Sequence, residues 1–353
     1  MTPLDWGLGH ATRCIPVIRE LRRQGCEVMI AGSGDSLALL RKEFPSLKHF
    51  FLPAYQPRYP GHGSMVWAMA FQIPKFMRVI SAEHRVVENI MKSEKIDLVI
   101  SDNRYGCWSR NKLSVFITHQ SNILMPKRFG WLQHMIRRLN DSMINRFNYC
   151  WIPDFPDNHS LAGNLIQFGK SGVKVKKEYI GWLSRFEFAE NKSKQYDVVA
   201  IFSGPEPQRT LVEKIVVAQL KTSGLAYRVV RGLPMISTND GDFHTVNFLS
   251  SDELKACIEA ADMIIARSGY STVMDMSALG KKVVFIPTPG QTEQEYLAKR
   301  LMEKGISYFM NQSEFHLQTA MEQTKKFPGF PSAAKNHLLR EVVAKLLRQS
   351  VTL

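Results

Sequence analysis

The amino-acid sequence predicts an α/β protein in which two doubly wound parallel sheets form two domains. Segments with the patterns of strands and helices alternate along the chain, which is typical of parallel sheets with helical crossovers. A length of 353 residues exceeds what one core usually holds. A polar stretch without periodicity, residues 187–196, separates two alternating series as a linker does. Open α/β sheets bind ligands at the carboxyl ends of their strands, so we expect a cleft between the domains.

The first series predicts an N-terminal domain over residues 1–183. Strands are predicted at 26–31, 49–53, 96–101, 113–118 and 149–153, and helices at 12–24, 36–44, 64–92 with an interruption at Pro74, and 131–147. A glycine-rich turn at residues 5–10 has only four residues before it. The first strand of this sheet is therefore predicted to be truncated. Either the native chain begins upstream of Met1, or the sheet tolerates a stub.

The second series predicts a C-terminal domain over residues 197–330, after a linker over 184–196. Strands are predicted at 198–202, 226–230, 244–248, 263–266 and 283–287, and helices at 208–223, 251–261, 271–279 and 293–304. The remaining segment, 331–353, contains an amphipathic helix at 333–348. We expect this helix to pack back on the N-terminal domain.

The charge of the chain is unevenly distributed. The net charge is +14, and residues 1–180 hold 25 Lys and Arg against 14 Asp and Glu. This basic half favours an anionic partner such as nucleic acid or an anionic membrane surface, although a solvated basic surface explains it equally well. No recognised nucleic-acid-binding motif accompanies the charge, so we expect no nucleic-acid partner.

The cysteines and the hydropathy pattern favour a cytoplasmic protein. The five cysteines are scattered, and no CxxC pair or Cys/His ligand spacing occurs. This pattern indicates reduced thiols and argues against a zinc site. No signal-peptide pattern begins the chain, and no run of 18 apolar residues occurs, so a membrane span is not expected.

The turn at residues 5–10 contains the first candidate for catalysis. Gly7 and Gly9 allow close approach of backbone and ligand, and His10 follows at the start of a helix. An imidazole there can take a proton from a hydroxyl near neutral pH. Asp102, at the end of the strand at 96–101, can orient such a histidine. The alternatives are an ordinary tight turn and an aspartate that caps a helix.

Three strand-to-helix turns of the second half are candidates for binding a nucleotide sugar. In the strongest, Ser268, Gly269, Ser271 and Thr272 offer amides and hydroxyls to a diphosphate, and Asp275 can accept from ribose hydroxyls. Simple helix capping is the alternative. Two further groups are Gln291, Glu293 and Gln294, suited to sugar hydroxyls, and Ser203, Gly204 and Arg209, suited to phosphate.

These pieces together resemble glycosyltransferase family 28. The resemblance is carried by Ala-Arg-Ser-Gly-Tyr-Ser-Thr-Val-Met-Asp from Ala266, Ala-Leu-Gly-Lys-Lys-Val-Val-Phe-Ile-Pro from Ala278, and Gln-Thr-Glu-Gln-Glu-Tyr-Leu-Ala from Gln291. Gly-Leu-Gly-His-Ala-Thr-Arg, from Gly7, resembles a variant of the acceptor-side glycine loop of that family. The resemblance implies a GT-B fold, inversion at the anomeric carbon, no essential metal and no cofactor besides the UDP-sugar co-substrate.

The resemblance also implies roles for particular residues. On the donor side, Arg267, Ser268, Gly269 and Thr272 would face the diphosphate, Asp275 the ribose, Glu293 and Gln294 the sugar, and Phe248 and Leu249 the uracil. On the acceptor side it implies Gly7, Gly9, Arg13, His119, Gln120 and Asn122. His119 replaces an acidic residue of the family, so the acceptor is expected to differ from the peptidoglycan intermediate.

The sequence therefore predicts a transferase that moves a sugar, expected to be GlcNAc, from a UDP-sugar to an acceptor hydroxyl. Two alternatives stay open, a UDP-sugar 2-epimerase of the same fold and a non-catalytic protein that binds nucleotide sugars.

A membrane interaction is a further expectation. Residues 63–78 are apolar, aromatic and Met-rich before turning basic, and are too short to span a bilayer. Trp67 and Phe71 could insert into the interface, and the basic residues could lie near anionic head groups; these are Lys75, Arg78, Arg85, Lys127, Arg128, Arg137 and Arg138. The protein would then be peripheral on the inner face of the cytoplasmic membrane, with a lipid-linked acceptor. A buried core helix at 65–77 explains the segment equally well.

Overall fold

The N-terminal half contains seven parallel strands with helices between them. The computed structural model describes residues 1–57, 65–123, 130–131, 133–156, 159–168, 172–187, 193–236, 243–331 and 337–350. Its first elements are β1 (Thr2–Pro3), α1 (Leu8–Arg23), β2 (Ile30–Gly32), α2 (Gly34–Glu43), β3 (His49–Phe51), α3 (Met65–Ala70), α4 (Ile73–Ser93), β4 (Leu98–Asp102), β5 (Leu113–Ile117), α5 (Gln133–Ile144), β6 (Tyr149–Ile152) and β7 (Lys176–Tyr179).

The C-terminal half repeats this arrangement with six parallel strands. Its elements are β8 (Tyr196–Ile201), α6 (Gln208–Lys221), β9 (Tyr227–Val230), β10 (Thr245–Val246), α7 (Ser251–Glu259), β11 (Ala261–Ala266), α8 (Tyr270–Leu279), β12 (Val283–Phe285), α9 (Thr292–Glu303), β13 (Tyr308–Phe309), α10 (Leu317–Thr324) and α11 (Leu338–Ser350). Among the described residues, no helix is long and apolar enough to cross a bilayer.

Both sheets place their first strand beside their fourth. The N-terminal sheet has the order β1-β4-β5-β6-β7, and β2 pairs with β3. The amide of Ala31 donates to the Met1 carbonyl at 3.0 Å, which joins the β2–β3 pair to β1. The C-terminal sheet has the order β10-β9-β8-β11-β12-β13. The strand order therefore reverses between β1 and β4 and again between β8 and β11, where open α/β sheets bind ligands.

The first strand of the N-terminal sheet is present as a two-residue stub. Thr2 and Pro3 pair with Ser101 and Asp102 of β4 in parallel register. The glycine turn and α1 follow directly on this stub.

The last helix, α11, packs on the N-terminal half. Its Lys345 pairs with Glu178 of β7 at 2.7 Å, and the Gln24 side chain donates to the Arg340 carbonyl at 3.1 Å. Val343 and Leu346 of α11 are buried in the main core cluster. The preceding helix α10 packs on the sheet of the C-terminal half. The chain thus returns to its N-terminal half near its end.

A buried ion pair organises the N-terminal loops beside the cleft. The Arg104 guanidinium and the Glu83 carboxylate are fully buried and lie 2.5 Å apart. Arg104 also donates to the carbonyls of Pro3 and Pro53 and to Ser33 Oγ, at 2.6, 3.1 and 2.5 Å. One side chain thus connects the ends of β1 and β4 with the loops that follow β2 and β3.

We expect Arg104→Met to lower the free energy of unfolding by about 3–5 kcal/mol, because it leaves Glu83 buried without its partner. Urea unfolding of the full chain would measure the change. The matched control is Arg110→Met, which removes an exposed guanidinium from the same region and should change stability by less than about 0.5 kcal/mol. Equal midpoints for the two variants would contradict this role of Arg104.

Candidate active site

The two halves are in contact near the points where the strand order of each sheet reverses, and glycines lie at this contact. Ser271 Oγ, at the start of α8, donates to the Gly9 carbonyl in α1 at 2.7 Å. A Cβ on Gly9 would lie 3.1 Å from that hydroxyl oxygen, and a Cβ on Gly7 would lie 3.8 Å from Gly204 Cα. Gly7 also has a φ of +95°, which glycine adopts without strain. Glycine at these two positions therefore allows the backbone of the C-terminal half to approach the turn closely.

A histidine–aspartate pair lies beside this contact, as the sequence predicted for His10 and Asp102. His10 Nδ1 is 2.9 Å from Asp102 Oδ1. Asp102 ends β4 and is fully buried, whereas the His10 side chain is 15% exposed. Arg13, one turn further along α1, donates to both carboxylate oxygens of Asp102 through Nε and Nη2. The carboxylate thus lies between an imidazole and a guanidinium.

Arg13 connects this pair to the other half of the protein through His119. Arg13 Nη1 lies 2.9 Å from His119 Nδ1, and His119 Nε2 lies 3.0 Å from Glu293 Oε1. The His119 ring stacks on Tyr270 with 4.4 Å between ring centroids and an interplanar angle of 3°. A contiguous chain of polar groups therefore runs from His10 to Glu293 in α9.

The surroundings of these groups change their pKa values. Burial alone would raise the pKa of Asp102, but the charge of Arg13 and then that of His10 hold it at about 2. Burial and then the Arg13 charge lower the pKa of His10 below its ordinary value. Burial would also raise the pKa of Glu293, but His119 and Arg13 lower it. Near neutral pH the site thus contains a neutral His10 beside two ionised carboxylates.

An open cavity with an empty volume of about 610 Å³ lies at the junction of the halves. Seven residues predicted to bind ligands line it: Gly9, Ser203, Phe248, Leu249, Ser271, Thr272 and Asp275. Gly269 begins α8 without a side-chain cap, and space is open around its Cα. The cavity therefore combines apolar walls with hydroxyls at a helix N-terminus.

The Asp275 carboxylate is bound to the segment that connects the domains. It accepts from Ser184 Oγ at 2.8 Å and from Arg185 Nε at 3.3 Å. Burial raises its pKa, against the opposing effects of Arg185 and Ser184. Asp275 lines the cavity, but part of its hydrogen-bonding capacity is used to hold the linker.

The structure corrects the expected phosphate contacts of Arg267 and Arg209. Arg267 is buried and donates to the carbonyls of Ile286, Pro287 and Gln208 and to Gln312 Oε1 at 2.7–3.1 Å. Arg209 pairs with Glu206 at 2.6 Å and with Glu213. Both guanidiniums thus stabilise their own domain, because hydrogen bonds and ion pairs to neighbouring carbonyls and carboxylates already occupy their donors.

Two other predicted donor residues also point away from the cavity. Ser268 is fully buried, and its hydroxyl donates to the Gln294 carbonyl at 2.8 Å. Gln294 Oε1 accepts from the Thr288 amide at 2.8 Å. These bonds fix the start of α9 against α8, and so position Glu293. Gln291 precedes α9 as its N-cap residue, and its Oε1 is buried without a hydrogen-bond partner.

On the acceptor side, the predicted residues divide into two groups. His119 joins the polar chain described above. Asn122 is used structurally, because its side chain donates to the Asn164 carbonyl at 3.2 Å and accepts from Gln133 Nε2 at 3.0 Å. Gln120 is half-buried, and its backbone N–H donates to Thr118 Oγ1 at 3.1 Å.

Sequence reasoning missed three residues of the site. Thr12 and Arg185 line the cavity, and Tyr270 stacks on His119 while its hydroxyl donates to the Pro153 carbonyl at 2.9 Å. Tyr270 lies within the motif from Ala266 that was singled out, but its sequence position gave no sign of the other domain. Arg185 belongs to the linker, where only polarity was considered.

Comparisons with known proteins define the class of this protein. Residues 233–342 match the glycosyltransferase family 28 C-terminal domain. An "uncharacterized glycosyltransferase" of Methanosarcina acetivorans is 23% identical over 333 residues, which are 87% of this chain and 84% of that protein. The UDP-N-acetylglucosamine--N-acetylmuramyl-(pentapeptide) pyrophosphoryl-undecaprenol N-acetylglucosamine transferase of Glaesserella parasuis is 22% identical over 351 residues, 96% of this chain and 90% of that protein.

A solved structure agrees with these relatives. The crystal structure of MurG from Acinetobacter baumannii matches with a TM-score of 0.53 and 16% identity, and the match covers 99% of this chain and 98% of that one. The fold and these relatives define a glycosyltransferase of the GT-B fold. More specifically, its residues 233–342 match the family 28 C-terminal domain, and most of the chain is similar to MurG-like glycosyltransferases. The predicted fold class and enzyme class are confirmed.

The lowered pKa of Asp102 predicts a pH-dependent contribution to stability. A carboxylate whose folded pKa is about 2, below its unfolded value of 3.8, adds stability above about pH 4 and loses it as the pH falls to about 2. We expect Asp102→Asn to be less stable than the wild type by about 2 kcal/mol at pH 7.

The difference in stability between the two proteins should shrink between about pH 4 and pH 2, because the wild-type carboxyl becomes protonated and then carries no charge, like the asparagine side chain. Urea unfolding of both proteins across this range measures it. A stability difference that stays constant down to pH 2 would contradict the assignment of a buried, ionised Asp102.

Proposed function

We propose that this glycosyltransferase moves a sugar from a UDP-sugar to a hydroxyl of a lipid-linked acceptor, with inversion at the anomeric carbon. The observation that carries the proposal is the His10–Asp102 pair, in which His10 directly follows Gly9 in the sequence, beside a domain junction whose cavity is lined by Gly9, Thr272 and Ser271. The relative from Glaesserella parasuis is named for transfer from UDP-N-acetylglucosamine, which supports GlcNAc as the sugar.

The proposed base is His10. Its Nδ1 lies 2.9 Å from Asp102 Oδ1. We assign the ring proton to Nδ1, donated to this ionised carboxylate, so that Nε2 is available to take the acceptor proton. The acceptor oxygen forms a bond to the anomeric carbon while the bond from that carbon to the diphosphate oxygen breaks. The proton goes to His10 Nε2, and the electron pair leaves with UDP. The lowered pKa of His10 keeps the imidazole neutral and able to act as a base near pH 7.

The proposed donor site is the cavity at the start of α8. The unpaired amides of a helix N-terminus and its dipole favour the negative charge that develops on the departing diphosphate. Thr272 adds a hydroxyl donor, whereas the Ser271 hydroxyl already donates to the Gly9 carbonyl. The apolar walls around Phe248 and Leu249 suit a flat base. We expect this arrangement to work without a divalent metal, so transfer should continue in EDTA.

The two alternatives differ from a transferase in their products. An epimerase would isomerise the UDP-sugar without an acceptor, and a binding protein would change nothing. The relatives and the family match are to transferases, and the His10–Asp102 pair supports retained chemistry. Incubation with UDP-sugars, with and without a lipid extract, separates the three outcomes.

We expect His10→Ala to lower kcat by about 10²–10⁴-fold with unchanged UDP affinity, because it removes the base and leaves the cavity intact. UDP release with acceptor measures kcat, and calorimetry measures affinity. The complementary variant is Thr272→Ala, which should weaken UDP binding by about 0.5–1.5 kcal/mol through one lost hydrogen bond. Normal turnover by His10→Ala would exclude it as the base. Unchanged UDP affinity of Thr272→Ala would count against the donor site.

An exposed apolar surface on the N-terminal half supports a lipid-linked acceptor. Large side chains of α3, α4, α5 and adjoining residues are 37–81% exposed; they are Trp67, Phe71, Ile73, Met77, Trp131, Met135 and Leu139. Ile80 of α4 and Met143 of α5 share a small core cluster, so these helices are neighbours. The exposure of Phe71 argues against a fully buried helix at 65–77.

Basic side chains accompany this surface. Arg78, Arg85 and Arg138 are exposed, and Lys75 and Arg137 are half-buried. Gly63, Ser64, Lys127 and Arg128, which also belong to the predicted membrane surface, lie outside the described residues. We propose that these helices rest on an anionic membrane and that the acceptor enters the cleft from there.

Co-sedimentation with anionic vesicles tests this surface. We expect Phe71→Ser to weaken binding at low salt, because it removes a large apolar group from the proposed interface. The matched control is Phe243→Ser in the C-terminal half, where the exposed fraction is 92%, and it should bind like the wild type. Binding should also fall with added salt. Equal losses for both variants, or no wild-type binding at low salt, would contradict the membrane proposal.

A further inference from the structure

Arg13 differs from an acceptor-binding residue in how its guanidinium is used. The side chain is 2% exposed. Nε and Nη2 donate to the two oxygens of Asp102, and Nη1 reaches His119 Nδ1 at 2.9 Å. Nη2 also lies 2.8 Å from His10 Nδ1. Because His10 Nδ1 also lies 2.9 Å from Asp102 Oδ1, we assign the proton of that nitrogen to the carboxylate. The guanidinium therefore spends its donors inside the protein, on Asp102 and His119.

The chemistry of arginine determines where the protons of its neighbours lie. A guanidinium has only donors and keeps its proton in proteins. His119 Nδ1 must therefore accept from Arg13, which leaves the His119 proton on Nε2. That proton is donated to Glu293 Oε1 at 3.0 Å. The stacked Tyr270 ring holds the imidazole in the plane that both bonds need.

The same guanidinium determines the state of Asp102. Two charge-assisted hydrogen bonds from Arg13 keep this buried carboxylate ionised and fixed in place. A fixed carboxylate can hold the His10 imidazole with its proton on Nδ1 and its lone pair on Nε2. Both histidines are therefore oriented by groups that Arg13 holds.

We propose that Arg13 is a positioning residue that couples the base to the donor domain: it orients His10 through Asp102, and it orients Glu293 through the His119 tautomer. This inference rests on the proposed function of His10. Placement of Glu293, a predicted contact of the donor sugar, and placement of the base then depend on one side chain of α1. Misplacement of either group would slow the transfer.

The coupling has an electrostatic signature. The charged and titratable groups around His10 are Arg13 on its own helix, Asp102 of β4, His119 after β5 and Glu293 of α9, and Cys14 Sγ lies 3.7 Å from Asp102. The positive charge of Arg13 disfavours a protonated His10. Without it, the His10–Asp102 pair holds a proton more tightly, and the base is lost at a higher pH.

Arg13→Met and Arg13→Lys, measured as kcat/KM against pH, test the proposal. We expect Arg13→Met to lower kcat about 10²-fold and to move the acidic limb of the profile up by about 1 pH unit. Arg13→Lys keeps the positive charge but lacks the two parallel guanidinium donors. Its rate should therefore fall, while the acidic limb of its pH profile stays near that of the wild type. The control is Arg22→Met, on the exposed face of the same helix, which should match the wild type.

A uniformly lower rate for Arg13→Met with no movement of the limb would mean a structural role only, and would overturn the proposal. Unchanged kinetics would overturn it as well. If Arg13→Met does not fold, Arg13→Lys decides. A fall in its rate together with loss of the wild-type His119 tautomer supports the proposal. Full activity, or a lower rate with the wild-type tautomers, contradicts it.

Nitrogen NMR of the imidazole rings tests Arg13 independently of the reaction. Signals are assigned with His10→Ala and His119→Ala. We expect His119 to be protonated at Nε2 and His10 at Nδ1 in the wild type, and the His119 preference to disappear in Arg13→Met. The opposite tautomers in the wild type would overturn the proposal. An inactive wild type with the expected tautomers would contradict the proposed function but leave the placement of both rings by Arg13 supported.

Discussion

The cleft depends on a charged pair buried at the end of β4. Removing two charges from water is costly, and a buried carboxylate is tolerated only when donors satisfy it. Asp102 meets this condition through Arg13 and His10, both from the first turns of α1. The pair therefore does more than hold α1 against the sheet. It fixes an ionised carboxylate one hydrogen bond away from a partly exposed imidazole.

The contact between the halves follows from the same helix. The N-terminal turn of α1 approaches α8 so closely that Gly9 has a serine hydroxyl against its carbonyl. A larger residue in this turn would separate the domains, and His119 would then move away from Glu293. The close backbone contact and the chain of polar groups from His10 to Glu293 therefore depend on each other. The short glycine turn sets the distance between the halves, and with it the distance between the ionised groups.

The sequence predicted the parts of this arrangement that depend on local pattern. Alternating strands and helices indicated two doubly wound sheets, and strand ends indicated His10, Asp102 and the turn before Thr272. Three short elements were missed, β7, β13 and α10. Lys176–Tyr179 lacks an apolar alternation, and Tyr308–Phe309 is too short to show a period. Pro74 was correctly placed at an interruption, since it lies in the first turn of α4.

Arginine roles could not be derived from the sequence, because a motif does not reveal which acceptors lie nearby. Arg267 and Arg209 stand in phosphate-like turns, yet other groups take up their donors. Carbonyls of the loop after β12 accept from Arg267, and glutamates in the turn before α6 and in α6 accept from Arg209. Arg13 appeared to be part of a ligand loop, but its acceptors come from β4 and from the loop after β5. These partners are 89 and 106 residues away along the chain, beyond any local period.

The packing of α11 on the N-terminal half has a mechanical meaning. The polypeptide passes from one domain to the other twice, once through residues 184–196 and once between α10 and α11. A pair of domains with one tether can rotate about many axes, whereas two separated tethers leave mainly one hinge axis, which runs through both. Two connections therefore restrict the relative rotation of the domains more than one connection would, and they favour rotation about that one axis.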